Sequence, residues 1–270
     1  MTNHLEIIKP IEGEKKPIKA ALFDFDGTIS TLRQGWETIM EPLMVEMING
    51  RAPRDEELEN KIRNYINEST GIQTIYQMYW LVEQVEQYKR NPEVHDAWWY
   101  KDEYNRRLLE MVQRRSDKLL NGNCRPEDFR IQGSLEFLEA LHKRGIDIYI
   151  ASGTDDVDVQ REVESLGIRQ LVKYVAGAPH RRADCSKEAV IKDLIEDQGL
   201  QGSEFFVIGD GKVEIGLGLE AGAISIGAAT DEINQLGVNE LKRSKLVEAG
   251  AHAIVGDFSN YHEILNWLGI

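Results

Sequence analysis

The sequence predicts an α/β protein with a doubly wound parallel sheet and an all-helical domain inserted after the first strand. Three observations carry this. Short apolar runs recur with little polar alternation, the pattern of strands covered on both faces. Several are preceded by a helical stretch that stops at a glycine, as in LEALHKRG before IDIYIA, LGLEAG before AISIG and KLVEAG before AHAIVG. That repeat of strand, helix, glycine and strand describes crossover units with helices on both faces. Residues 33–121 break the pattern and read as helices alone.

Residues 1–17 are polar, carry Pro10, Gly13 and Pro17, and read as a strap or loose extension. The strand candidates are Ile18–Phe25, Ile146–Ala151, Leu171–Val175, Phe205–Ile208, Ala223–Ile226 and Ala251–Val255. In the insertion, Trp36, Ile39, Met40, Leu43, Met44, Met47 and Ile48 fall on one helical stripe. Pro42 lies inside it, so this helix should kink or start later. A second stripe, Leu58 to Ile66, follows the start signals Pro53 and Asp55. A third starts at Ile72, and a fourth runs from about Ala97 to Leu120. The expected boundaries are therefore 1–32 and 122–270 for the α/β core and 33–121 for the insertion.

The chain has 270 residues, 41% of them hydrophobic and 29% charged, which suffices for a folded core. Its formal charge of −14 repels polyphosphate backbones and anionic membranes. A small anion is still admissible, because a bound cation can reverse the field locally. Cys124 and Cys185 are too few and too far apart for a disulfide framework or a CxxC metal site, which favours the reducing cytoplasm. The sequence has neither a spanning apolar stretch nor the apolar start of a signal peptide. The expected state is a monomer or weak homodimer.

Ligands of open α/β sheets bind beyond the carboxyl ends of the strands. The run ending at Phe25 delivers Asp24, Asp26, Gly27 and Thr28; the next ends in Ser152, Gly153 and Thr154; a later one ends in Gly209 and Asp210. Like charges gathered in this way call for a cation. An all-oxygen set of carboxylates and a carbonyl suits Mg²⁺ and phosphate substrates. Gly27 can make a tight turn whose N–H groups face an anion. The plainer alternative has Asp24 and Asp26 as turn and cap residues.

FDFDGT at 23–28 resembles the first motif of the haloacid dehalogenase-like hydrolase superfamily, mostly phosphatases. YIASG at 149–153 is similar to its second motif, Lys187 to the third-motif lysine, and VIGDGKVE at 207–214 to the fourth. The helical insertion resembles the family's cap domain. The resemblance implies Asp24 as nucleophile, forming an aspartyl-phosphate, and Asp26 as general acid and base. It implies Mg²⁺ held by Asp24, Asp210 and the Asp26 carbonyl, with Glu214 binding a metal water or orienting Lys187. Ser152, Gly153, Lys187, Gly27 and Thr28 would bind the phosphoryl group. An acid at position 26 suits a phosphate ester, whose leaving oxygen needs a proton, and dehalogenases lack it.

Two regions could read the substrate. Ser69–Gln73 is a polar break between helices, so Thr70 and Gln73 would contact substrate or form a plain connector. Arg33 would contact substrate or make a hinge salt bridge. The aromatic cluster of the insertion could pack its core or stack on a sugar, and His180, Arg181 and Arg182 could add charge near the mouth. GLGLEAG at 216–222 fails as a dinucleotide fingerprint, because its third glycine is one place late. The expectation is a Mg²⁺-dependent phosphatase acting on a small phosphorylated metabolite, a sugar or polyol phosphate. The alternatives are a phosphomutase of the β-phosphoglucomutase type or a scaffold without turnover.

Overall fold

The computed structural model describes residues 5–11, 16–70, 72–178, 189, 196–197, 199 and 202–270. Lys187 and residues 180–182 lie outside the described residues. Seven strands form one sheet: β1 (Leu5–Ile7), β2 (Ala20–Phe23), β3 (Asp147–Asp155), β4 (Tyr174–Ala178), β5 (Phe205–Gly209), β6 (Ile224–Ala228) and β7 (Ala253–Val255), in the order β1-β7-β6-β5-β2-β3-β4. The chain winds one way from β2 through β3 to β4 and the other way from β5 through β6 to β7. The direction reverses between β2 and β5, which makes the crevice past their carboxyl ends the switch point of the sheet.

Every residue of β2, β5 and β6 is buried, as their unbroken apolar character requires. Alternate residues serve opposite faces. Ala21 and Phe23 join a large cluster with Ile148, Ile150, Phe206 and Ile208, whereas Ala20 and Leu22 pack with Tyr149, Ala151, Phe205 and Val207. Gly145, Gly222 and Gly250 take positive φ after their helices, as expected of glycine stops.

Three expectations change. Leu5–Ile7, assigned to a strap, is an edge strand paired antiparallel with β7, so the sheet is mixed. Three residues within a short, mostly polar segment give too short a pattern to be read as a strand. The run at Leu171–Val175 breaks in two: Arg169–Leu171 is a 3₁₀ turn and β4 starts at Tyr174. Pro42 sits inside helix α1 (Glu37–Asn49), which starts no later for it. It falls in the second turn, where the cost is a missing hydrogen bond to the preceding turn.

Helices α2 (Glu56–Glu68), α3 (Thr74–Tyr88) and α4 (Ala97–Leu120) complete the insertion between β2 and β3. Asp55 caps α2, accepting from the Leu58 N–H at 3.0 Å. The four helices share a hydrophobic cluster that includes Met44, Ile62, Met78 and Tyr100. Most of the aromatic residues flagged in the sequence pack in or against it: Tyr104 is buried there, and Tyr65 stacks on Trp80 with ring centroids 3.9 Å apart.

Candidate active site

Asp24 follows β2 directly, and its N–H bonds the Ile208 carbonyl of β5 at 2.8 Å, so the residue stays locked to the sheet beyond the strand. The chain then turns sharply at Gly27, whose φ is 74°. A Cβ on Gly27 would lie 2.4 Å from Asp210 Oδ2 and 3.2 Å from Glu232 Oε1. Only glycine lets the turn reach both carboxylates. Gly27→Ala is therefore expected to displace Asp210 and cut kcat about 100-fold, with a stability loss of about 1–2 kcal/mol. Steady-state assays beside thermal melts check this, and an alanine variant of undiminished activity would refute the close approach.

The turn uses its own donors. The Gly27 N–H bonds Ser30 O at 2.9 Å, and the Thr28, Ile29 and Ser30 N–H groups point to Phe25 O. In this structure the N–H groups of Gly27 and Thr28 are thus taken up within the tight turn, which closes on itself. The buried Thr28 hydroxyl has no hydrogen-bond partner among the described residues.

Asp26 is held from β3. Its Oδ2 accepts from Ser152 Oγ at 3.1 Å and Thr154 Oγ1 at 2.8 Å, and Ser152 Oγ also accepts from the Thr154 N–H at 3.0 Å. Ser152 is therefore engaged with Asp26, while Gly153 and Thr154 line the cleft. Asp26 Oδ1 is buried with no hydrogen bond among the described residues, 3.9 Å from Arg33 Nε.

Arg33 makes the hinge salt bridge and also lines the cleft. Its Nε and Nη2 reach Glu162 Oε1 at 3.0 and 2.6 Å, and Asp158 Oδ2 lies 3.7 Å from Nη2; both acids sit on the helix Asp156–Ser165. Burial disfavours the Arg33 charge, but Glu162, Asp26 and Asp158 outweigh it and raise its pKa. Burial pushes the Glu162 carboxyl up to about 7 from an ordinary 4.5, against the pull of Arg33. The folded state thus binds a proton between those values that the unfolded chain releases, so this group's contribution to stability falls as pH rises from about 4.5 through 7. Glu162→Gln should flatten the difference. Between pH 7.5 and 5 the wild type should gain on the order of 3 kcal/mol relative to the variant in urea melts. Parallel stability–pH curves would refute it.

The insertion forms the other wall of the cleft. Trp36, Thr70, Ile72, Thr74, Gln77, Lys101, Tyr104 and Asn105 line it opposite Asp24, Asp26, Asp155, Asp210 and Glu232. Lys101 Nζ and Asn105 Nδ2 donate to Asp155 at 2.5 and 2.7 Å, and Lys245 donates to the Asn67 carbonyl at 2.8 Å. Arg115 Nη1 gathers the carbonyls of Thr31, Leu32 and Gln34 at 3.3, 2.6 and 2.9 Å, tying α4 to the first linker. Thr70 lines the cleft. Gln73 is buried as the N-cap residue of α3, beside the lining residues Ile72 and Thr74. Glu214 is also buried outside the lining and packs on Gly209, where a Cβ would sit 2.6 Å from its Cγ.

Glu232 was not singled out in the sequence; it stands two places past the run AISIGAAT, after Asp231. Lys242, on the helix Glu240–Glu248, bonds Asp210 Oδ2 at 2.7 Å and Glu232 Oε1 at 2.5 Å. Burial disfavours its charge, but the two carboxylates outweigh that and raise its pKa. Burial raises the pKa of Glu232 in turn, against Lys242. No local signal marked Lys242. Among the described residues, no three His, Cys, Asp or Glu side chains cluster closely enough to hold a metal by themselves, and no helix is long and apolar enough to cross a membrane.

A crevice at the switch point of a parallel-dominated sheet, with acids from separate strands under a helical insertion, is where open α/β enzymes bind their ligands. The model of the haloacid dehalogenase-like hydrolases matches residues 18–222, and the chain belongs to that family. Solved structures of similar fold include a predicted phosphoglycolate phosphatase from Haemophilus somnus 129pt, with 17% identity, 93% of this chain and 99% of that one covered, and a TM-score of 0.63. A predicted phosphatase from Clostridium acetobutylicum has 16% identity, 93% and 99% coverage and a TM-score of 0.61. The β-phosphoglucomutase from Clostridium difficile has 15% identity, 93% and 97% coverage and a TM-score of 0.59. No curated protein matches the chain in sequence.

Proposed function

We propose that the protein is a Mg²⁺-dependent phosphatase that hydrolyses a small phosphorylated metabolite, a sugar or polyol phosphate, through an aspartyl-phosphate on Asp24. The observation that carries this is the convergence of Asp24, Asp26 and Asp210 in one cleft walled by the helical insertion, which acts as the cap. The metal's fit rests on the cradle at Gly27. A missing side chain there lets Asp210 Oδ2 approach the loop that carries Asp24 and Asp26. Asp24, Asp210 and the Asp26 carbonyl are hard oxygen donors, and Mg²⁺ completes such a set with water. When bound, the ion would offset the repulsion between an anionic nucleophile and an anionic phosphate.

An Asp24 carboxylate oxygen attacks phosphorus while the ester oxygen leaves with a proton from Asp26. Asp26 then takes a proton from water, the water oxygen attacks phosphorus, and phosphate departs from Asp24. Ser152 and Thr154 hold Asp26 by Oδ2, which reserves Oδ1 for this proton traffic. Cap residues Thr70, Thr74, Gln77 and Asn105 offer neutral hydrogen bonds to hydroxyl groups, and Trp36 and Tyr104 offer ring faces. Glu214, behind Gly209, supports the site from beneath.

Release of inorganic phosphate from an aryl phosphate and from a panel of sugar phosphates tests the reading. Activity should appear with Mg²⁺ and vanish with a chelator. Turnover indifferent to chelation would remove the metal, and isomerisation of a sugar phosphate without phosphate release would make the protein a mutase.

A further inference from the structure

We propose that Lys242 is a built-in counter-cation of the metal site: it yields Asp210 Oδ2 to the divalent ion and stays anchored on Glu232. This rests on the metal reading above and concerns two residues outside the family motifs quoted earlier.

The placement of Lys242 requires an explanation. It lies in the first turn of the helix Glu240–Glu248, where the N-terminal end of the helix dipole disfavours a cation. Asn239 caps that turn, accepting from the Lys242 N–H at 3.1 Å. The side chain nonetheless runs inward, with 19% of it exposed, between Asp210 at 12% and Glu232 at 20%. The reason is the carboxylate surplus: Glu232 and Asp210 line the cleft with Asp24 and Asp26. One ammonium spans the two outer acids and relieves their repulsion in the metal-free protein. A divalent ion on Asp210 would repel that ammonium, and Glu232 gives it somewhere to remain. Lys242 and the ion therefore compete for one oxygen, and Glu232 decides how readily the lysine lets go.

Binding of Mn²⁺ to the metal-free protein, read from the electron paramagnetic resonance of free Mn²⁺, tests this without turnover. Lys242→Met should tighten Mn²⁺ about tenfold. Lys245→Met removes the same charge from the same helix, but Lys245 bonds the Asn67 carbonyl instead. It should change affinity by no more than about twofold. Glu232→Gln should weaken Mn²⁺ about tenfold with Lys242 present and only about threefold in the Lys242→Met background, because the coupling runs through the lysine. Lys242→Gln, which still hydrogen-bonds both acids, replaces Lys242→Met if far-UV circular dichroism shows the latter unfolded. Equal effects of the two methionine variants, or additive effects of Glu232→Gln, would overturn the proposal. A wild type that binds no Mn²⁺ at millimolar concentration would overturn the metal reading itself and the inference with it.

Discussion

Asp24→Asn should lower kcat by about four orders of magnitude or more while leaving the fold intact. Asparagine keeps the shape of the side chain but has no anionic oxygen to attack phosphorus. The site already crowds acids, so removing one charge relieves repulsion and the melting temperature should hold or rise. Acid quenching with a labelled substrate should trap phosphate on the wild type and none on the variant. A variant that retained wild-type turnover, or that still trapped the label, would show that another residue is the nucleophile.

Arg33→Met should destabilise the protein by about 3–5 kcal/mol at neutral pH. Arg33 and Glu162 are both buried, and their contacts at 2.6 and 3.0 Å are what makes a carboxylate tolerable at that position. Without the guanidinium, Glu162 must protonate or remain an uncompensated charge. The loss should therefore shrink toward pH 5, where protonation is cheap. Arg33→Met combined with Glu162→Leu should recover much of the stability, since apolar side chains can replace a buried pair. Denaturant melts of the wild type and the two variants at two pH values decide the matter. A single variant as stable as the wild type would show that the pair contributes nothing.

Much of the fold was legible because burial on both faces leaves an unmistakable pattern. Runs such as FFVIG need no neighbour to be read as central strand. The glycine stops were equally local, since one residue's φ answers for each. The edge strand Leu5–Ile7 was not legible, because it depends on β7 arriving beside it. The same divide separates the site residues. Asp24, Asp26, Ser152 and Asp210 end apolar runs and could be picked out in order. Glu232 stands one place beyond the acid that follows such a run and was passed over, whereas Lys242 carried no mark at all.

The amino-acid sequence by itself determined the layered architecture, the helical insertion and the family, because periodicity and the motif at 23–28 are properties of neighbouring residues. Tertiary structure alone decided which oxygen of Asp26 is tied to β3, that the Gly27 turn closes on itself, and that Lys242 bridges Asp210 to Glu232. Those facts depend on side chains from distant segments meeting at distances of a few ångströms, and electrostatic and hydrogen-bond energies at that range are set by geometry that no local pattern encodes.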